Sequence, residues 1–149
     1  MPLSDLVPSL ADLRFLPHLR DLAIAYVLAL LIGWNSEYED RTAGLRTFPL
    51  VAVAACGFVQ AAEQAMGGQP QAMARVVEGA ITGIGFIGAG AILKGEAEVH
   101  GTATAAALWA TAAIGIAVGL AAYDVAVMVC LFTMLTLYVV GRLKQKGPQ

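Results

Sequence analysis

The densest chemistry in this 149-residue chain lies between positions 35 and 47, where Glu37, Glu39 and Asp40 stand beside Arg41 and Arg46 with threonine hydroxyls close by. Carboxylates mixed with hydroxyl and carbonyl oxygens suit a hard cation such as Mg²⁺, bound with part of its water shell retained. Glu37, Glu39 and Asp40 are the candidate ligands on that reading, and no other cofactor is expected. The same charges equally suit a docking surface for a protein, or a solvated loop. A second polar pair, Arg75 and Glu78, falls one helical turn apart and can form an ion pair on one face. An ionisable group at membrane depth points to function. Glu37, Arg46, Thr47, Arg75, Glu78 and Thr104 therefore form the candidate polar cluster. No Walker sequence, nucleophile elbow or paired catalytic set accompanies them, so an enzyme is not expected. Cys56 and Cys130 sit inside apolar runs and read as small buried hydrophobes, while His18 and His100 stand alone.

Glycine is the other unusual feature. Gly83, Gly85 and Gly88 match the spacing of a dinucleotide fingerprint, but they lie in an apolar Ala/Gly-rich run without strand–turn–helix context. That context excludes the match. Gly79 with Gly83, and Gly115 with Gly119, are small-xxx-small pairs that let helix backbones approach closely in lipid. Gly79, Gly83, Gly85, Gly88, Gly90, Gly115, Gly119 and Trp109 are accordingly expected at helix–helix contacts. A broken helix lining a polar site is the second reading of the stretch at 83–90.

The elements that must position these residues follow from composition. Apolar residues make up 58% of the chain and charged residues 13%. A chain of this length buries only about 70% of its unfolded surface, so a soluble monomer could not hide that much apolar area. Five apolar stretches, 22–34, 47–62, 79–93, 102–122 and 125–140, show helical rather than alternating patterning. They predict an all-α integral membrane bundle of about five transmembrane helices with Gly/Ala-rich seams. Residues 1–20 read as a separate amphipathic segment, 21–141 as the transmembrane domain, and 142–149 as a short basic tail. Lys and Arg concentrate on the side carrying Arg41, Arg46, Lys94, Arg142, Lys144 and Lys146, which places the C-terminus in the cytoplasm. The net charge of −2 offers no basic field for nucleic acid.

Three motifs in order then carry a family resemblance. Ala43-Gly44-Leu45-Arg46-Thr47 before an apolar helix resembles the AGLRT signature of the MgtC/SapB family, with Glu37 in its acidic position. Gly83-Ile84-Gly85-Phe86-Ile87-Gly88-Ala89-Gly90 is similar to the family's GIGFLGAG segment. His100-Gly101-Thr102-Ala103-Thr104, continuing to Trp109 and then Ala112-Ala113-Ile114-Gly115, is similar to its GLTTAA…W segment. Ser36 replaces the usual Arg, Glu78 stands where Gln is common, and Ala103 moves one hydroxyl of the third motif. The resemblance is to the short form, without the soluble C-terminal domain of longer members. It implies a multi-pass protein of the bacterial inner membrane. It further implies a non-enzymatic regulator tied to magnesium limitation or acid stress, acting on membrane partners such as the F-type ATP synthase; self-association is expected from the Gly/Ala-rich seams. The glycine-dense third helix beside Glu78 supplies the alternative, a small transporter or channel for Mg²⁺, protons or a solute.

Overall fold

The computed structural model describes residues 15–38, 43–94 and 99–140. Five helices dominate them: α1 (Phe15–Tyr38), α2 (Thr47–Met66), α3 (Pro70–Gly90), α4 (Thr102–Gly119) and α5 (Tyr123–Leu135), the last continuing into a π-helical end, Thr136–Val140. Between α3 and α4, β1 (Leu93–Lys94) pairs antiparallel with β2 (Val99–His100) in a short hairpin. Four helices are long and apolar enough to cross a membrane, and α5 with its π-helical end is a shorter apolar helix. Two boundaries differ from the sequence expectation. The helix carrying the first apolar run begins at Phe15, so residues 15–20 belong to it, and the fourth helix stops at Gly119 rather than reaching 122. Residues 1–14 and the tail at 142–149 lie outside the described residues.

Local chemistry explains where the helices start and stop. The first amide groups of α2 have no partner inside the helix, so those of Thr47 and Phe48 both turn back to the Gly44 carbonyl, and Pro49 has no N–H to satisfy. Pro70 opens α3 at a position where the missing N–H costs nothing. Gly101 precedes α4 with φ +86°, a conformation that favours glycine, and a Cβ there would strike the Ala91 carbonyl.

Contacts between helices fix their directions. Gly115 of α4 lies on Ala52 and Ala55 of α2, and Gly119 lies on Cys56 and Val59, so α2 and α4 run parallel. Asp21 of α1 meets Tyr123 of α5, and the Cys130 thiol donates to the Leu28 carbonyl at 3.4 Å, so α1 and α5 also run parallel. The first end of the bundle thus carries the start of α1, the α2–α3 turn and the α4–α5 turn. The second end carries the link into α2, the hairpin and the close of α5.

Helix α4 is central. Eleven of its residues, from Thr104 to Gly119, are buried, and it packs on all four other helices. Ala25, Ala29, Ile32 and Ser36 form the buried stripe of α1, at the i, i+4, i+7 spacing of one helical face. Much of this core is alanine, which lets the backbones sit close where lipid offers no hydrophobic drive. Helix α3 is peripheral, with only Ile84 and Gly88 buried. Large apolar side chains such as Trp34, Leu50, Phe58, Phe86, Leu131 and Phe132 point outward. That pattern belongs to a bundle whose surroundings are hydrocarbon.

Candidate functional site

At the second end, residues 43–47 press on the end of α1. A Cβ on Gly33 would sit 3.2 Å from the Gly44 carbonyl oxygen and from the Leu45 Cα, so a hydrogen is all that fits comfortably there. This contact sets Arg46 and Thr47 at the start of α2. Arg46 is exposed and Thr47 half-buried, and no side chain caps the helix. Thr104 is buried in the first turn of α4, and Ser36 is fully buried with an unpartnered hydroxyl. Glu37 belongs to the last turn of α1, but its side chain, together with Glu39 and Asp40, lies outside the described residues.

Arg75 and Glu78 sit elsewhere. Both are exposed on the half of α3 near the first end, about 20 Å from Arg46 along the bundle at 1.5 Å per residue. They do not pair with each other; among the described residues the ion pair is Arg20–Asp21. The Glu78 carbonyl accepts a 2.9 Å bond from the Thr82 hydroxyl. The six-residue polar cluster is therefore not one site. Arg46, Thr47 and Thr104 share the second end, while Arg75 and Glu78 belong to the first.

The seam residues divide in the same way. A Cβ on Gly115 would strike the Ala52 carbonyl and lie 2.9 Å from the Ala55 Cβ, and one on Gly119 would lie 2.8 Å from the Val59 Cβ. Gly88 makes an ordinary contact with Ala105, while Gly79, Gly83, Gly85 and Gly90 have nothing within 4 Å. Helix α3 is also continuous through its glycines rather than broken. Trp109, expected between helices, is 54% exposed and borders a cleft with Val77, Ile81 and Val125.

Two features of the site were not read from sequence. The first is a polar knot at the first end. The Asp21 carboxylate accepts from Arg20 Nε at 2.9 Å, from the Tyr123 hydroxyl at 2.8 Å and from Gln60 Nε2 at 3.4 Å. Arg20 Nη2 also donates to the Tyr123 oxygen at 2.7 Å. The knot ties α1, α2 and α5 together. The signal was present: Asp21 and Gln60 are lone polar residues bordering or inside apolar runs, and such groups need partners in lipid. The second is a trough of about 960 Å³ between α2 and α3, lined by apolar residues from Leu50 to Met66 and by Gly79, Gly83 and Ile87. Arg46 and Thr47 stand at one end of it.

The comparisons with known proteins agree with this architecture. Residues 22–146 match the MgtC family. The chain is 37% identical over 136 residues to "Protein SrpB" of Synechococcus elongatus, covering 83% of this chain and 75% of that protein. It is 39% identical over 104 residues to "Protein MgtC" of Salmonella typhimurium (strain LT2), covering 70% of this chain and 44% of that protein. It is 44% identical over 98 residues to "Protein MgtC" of Brucella abortus (strain 2308), covering 66% of this chain and 40% of that protein. The chain thus spans less than half the length of these two MgtC proteins. No solved structure matches. The chain is a multi-pass membrane protein and belongs to the MgtC family.

Proposed function

We propose that this protein is a non-enzymatic regulator in the bacterial inner membrane that acts by contact with other membrane proteins. Family membership supports magnesium limitation or acid stress as its setting and the F-type ATP synthase as a partner. The Lys and Arg distribution supports a cytoplasmic second end, with the C-terminus on that side. Self-association belongs to the same reading.

The observation that carries it is the closed α2–α4 seam. A carrier moves its cargo through an interior that opens on alternate sides. Here the centre of the bundle is filled by the α4 backbone pressed on the Ala52 backbone at Gly115 and on the Val59 side chain at Gly119. Two buried polar side chains beside it are engaged: Thr111 donates to its own helix at the Ala107 carbonyl, and Gln60 donates to Asp21.

The test is reconstitution into liposomes with trapped Mg²⁺- and pH-sensitive dyes. The regulator reading expects flux equal to that of protein-free vesicles. Robust flux that Glu78→Ala abolishes would establish the transporter reading instead.

A further inference from the structure

We infer that the α2–α3 trough is a binding site for an anionic phospholipid, with its acyl chain along the trough and its phosphate on Arg46. The inference rests on the membrane location and is independent of the regulatory role.

The trough has the form of an amphiphile. On the α2 side it is lined at helical spacing by Leu50, Ala54, Phe58, Ala61 and Ala65, and on the α3 side by a stripe that includes Gly79 and Gly83. These two glycines leave open space where side chains would otherwise fill the floor. Such a surface, facing the bilayer, is filled by hydrocarbon in the membrane.

Specificity comes from Arg46, the one charged residue in the lining among the described residues. The Arg46 side chain makes no ion pair or hydrogen bond among the described residues, and it is exposed where the trough reaches the start of α2. A guanidinium presents paired donors that match a phosphate. Arg46 also occupies the N-terminal end of α2, where the helix dipole favours negative charge, and the Thr47 hydroxyl lies beside it. Basic pockets between transmembrane helices bind anionic head groups in this way. A partner helix would have to carry a carboxylate at that depth to satisfy Arg46. An anionic lipid supplies both the charge and the apolar tail at the required depth.

The experiment is native mass spectrometry of the detergent-purified full chain. It is titrated with phosphatidylglycerol and, separately, phosphatidylcholine of identical acyl chains, with glycerol phosphate as the tail-free control. Phosphatidylglycerol should bind about fivefold more tightly than phosphatidylcholine, the contribution of one basic residue at a membrane surface. Arg46→Ala should remove that preference and Arg46→Lys should keep part of it, while Gly83→Leu should lower occupancy by both lipids. Because the readout is a ratio of two lipids on one folded sample, partial misfolding does not imitate it. Equal binding of both lipids, a preference that survives Arg46→Ala, or equal binding of glycerol phosphate would overturn the inference. So would a Gly83→Leu variant that changes oligomeric state while lipid occupancy stays the same, since the trough would then hold a second copy.

Discussion

Helices α3 and α4 carry the same sequence signature and use it in opposite ways. Each has small residues spaced four apart, Gly79 with Gly83 and Gly115 with Gly119. On α4 those glycines face α2 so closely that an added methyl would meet backbone at Ala52 and the side chain of Val59. On α3 the equivalent positions face open space along a trough. The difference lies in what surrounds each helix. Helix α4 is enclosed by four neighbours, whereas α3 packs on α2 and α4 and leaves most of its circumference outside. A small-xxx-small pair thus reports that close approach is permitted; it does not say that this chain supplies the approaching surface.

Substitutions can break or sharpen that contrast. The largest effect is expected at the seam. Gly115→Leu places a four-carbon side chain into the Ala52 backbone and should abolish recovery of a monodisperse protein in detergent gel filtration. Next comes the polar knot, which locks the helices from the first end. Asp21→Ala leaves buried Gln60 and half-buried Tyr123 without their shared acceptor and should cost about 1–3 kcal/mol, read as a lower melting temperature. Gly33→Ala should be milder. Its methyl would sit 3.2 Å from Gly44 and Leu45, so residues 43–47 must yield by a few tenths of an ångström, for a loss of about 1 kcal/mol. Gly79→Ala should be the smallest, neutral or stabilising by about 0.5–1 kcal/mol, because alanine restricts the unfolded chain and meets nothing in the folded one.

The same contrast shows what could be read in advance. Five helices, their order and the membrane environment follow from composition and from apolar runs that repeat at helical period. The spacing of Gly115 and Gly119 predicts a close helix approach, and α2 supplies the approaching surface. The α3 glycines were expected at a seam as well, because sequence reports the size of a residue and not the presence of a neighbour. Of the candidate polar cluster of Glu37, Arg46, Thr47, Arg75, Glu78 and Thr104, the residues whose side chains are described do not converge, for a related reason. Antiparallel α2 and α3 send Arg46 and Arg75 to opposite ends, and only the path of the chain decides that. The Arg20–Asp21–Gln60–Tyr123 knot was hidden by separation, since Asp21 and Tyr123 stand 102 positions apart.

The closed seam against the open face is tested most directly by comparing the thermal unfolding of Gly115→Ala and Gly83→Ala in the same detergent. The two substitutions are chemically identical and differ only in surroundings. Gly115→Ala should lose about 1–3 kcal/mol and melt several degrees below the parent. Gly83→Ala should melt at or slightly above the parent. Equal melting temperatures for the two variants, or a greater loss at position 83, would contradict the account.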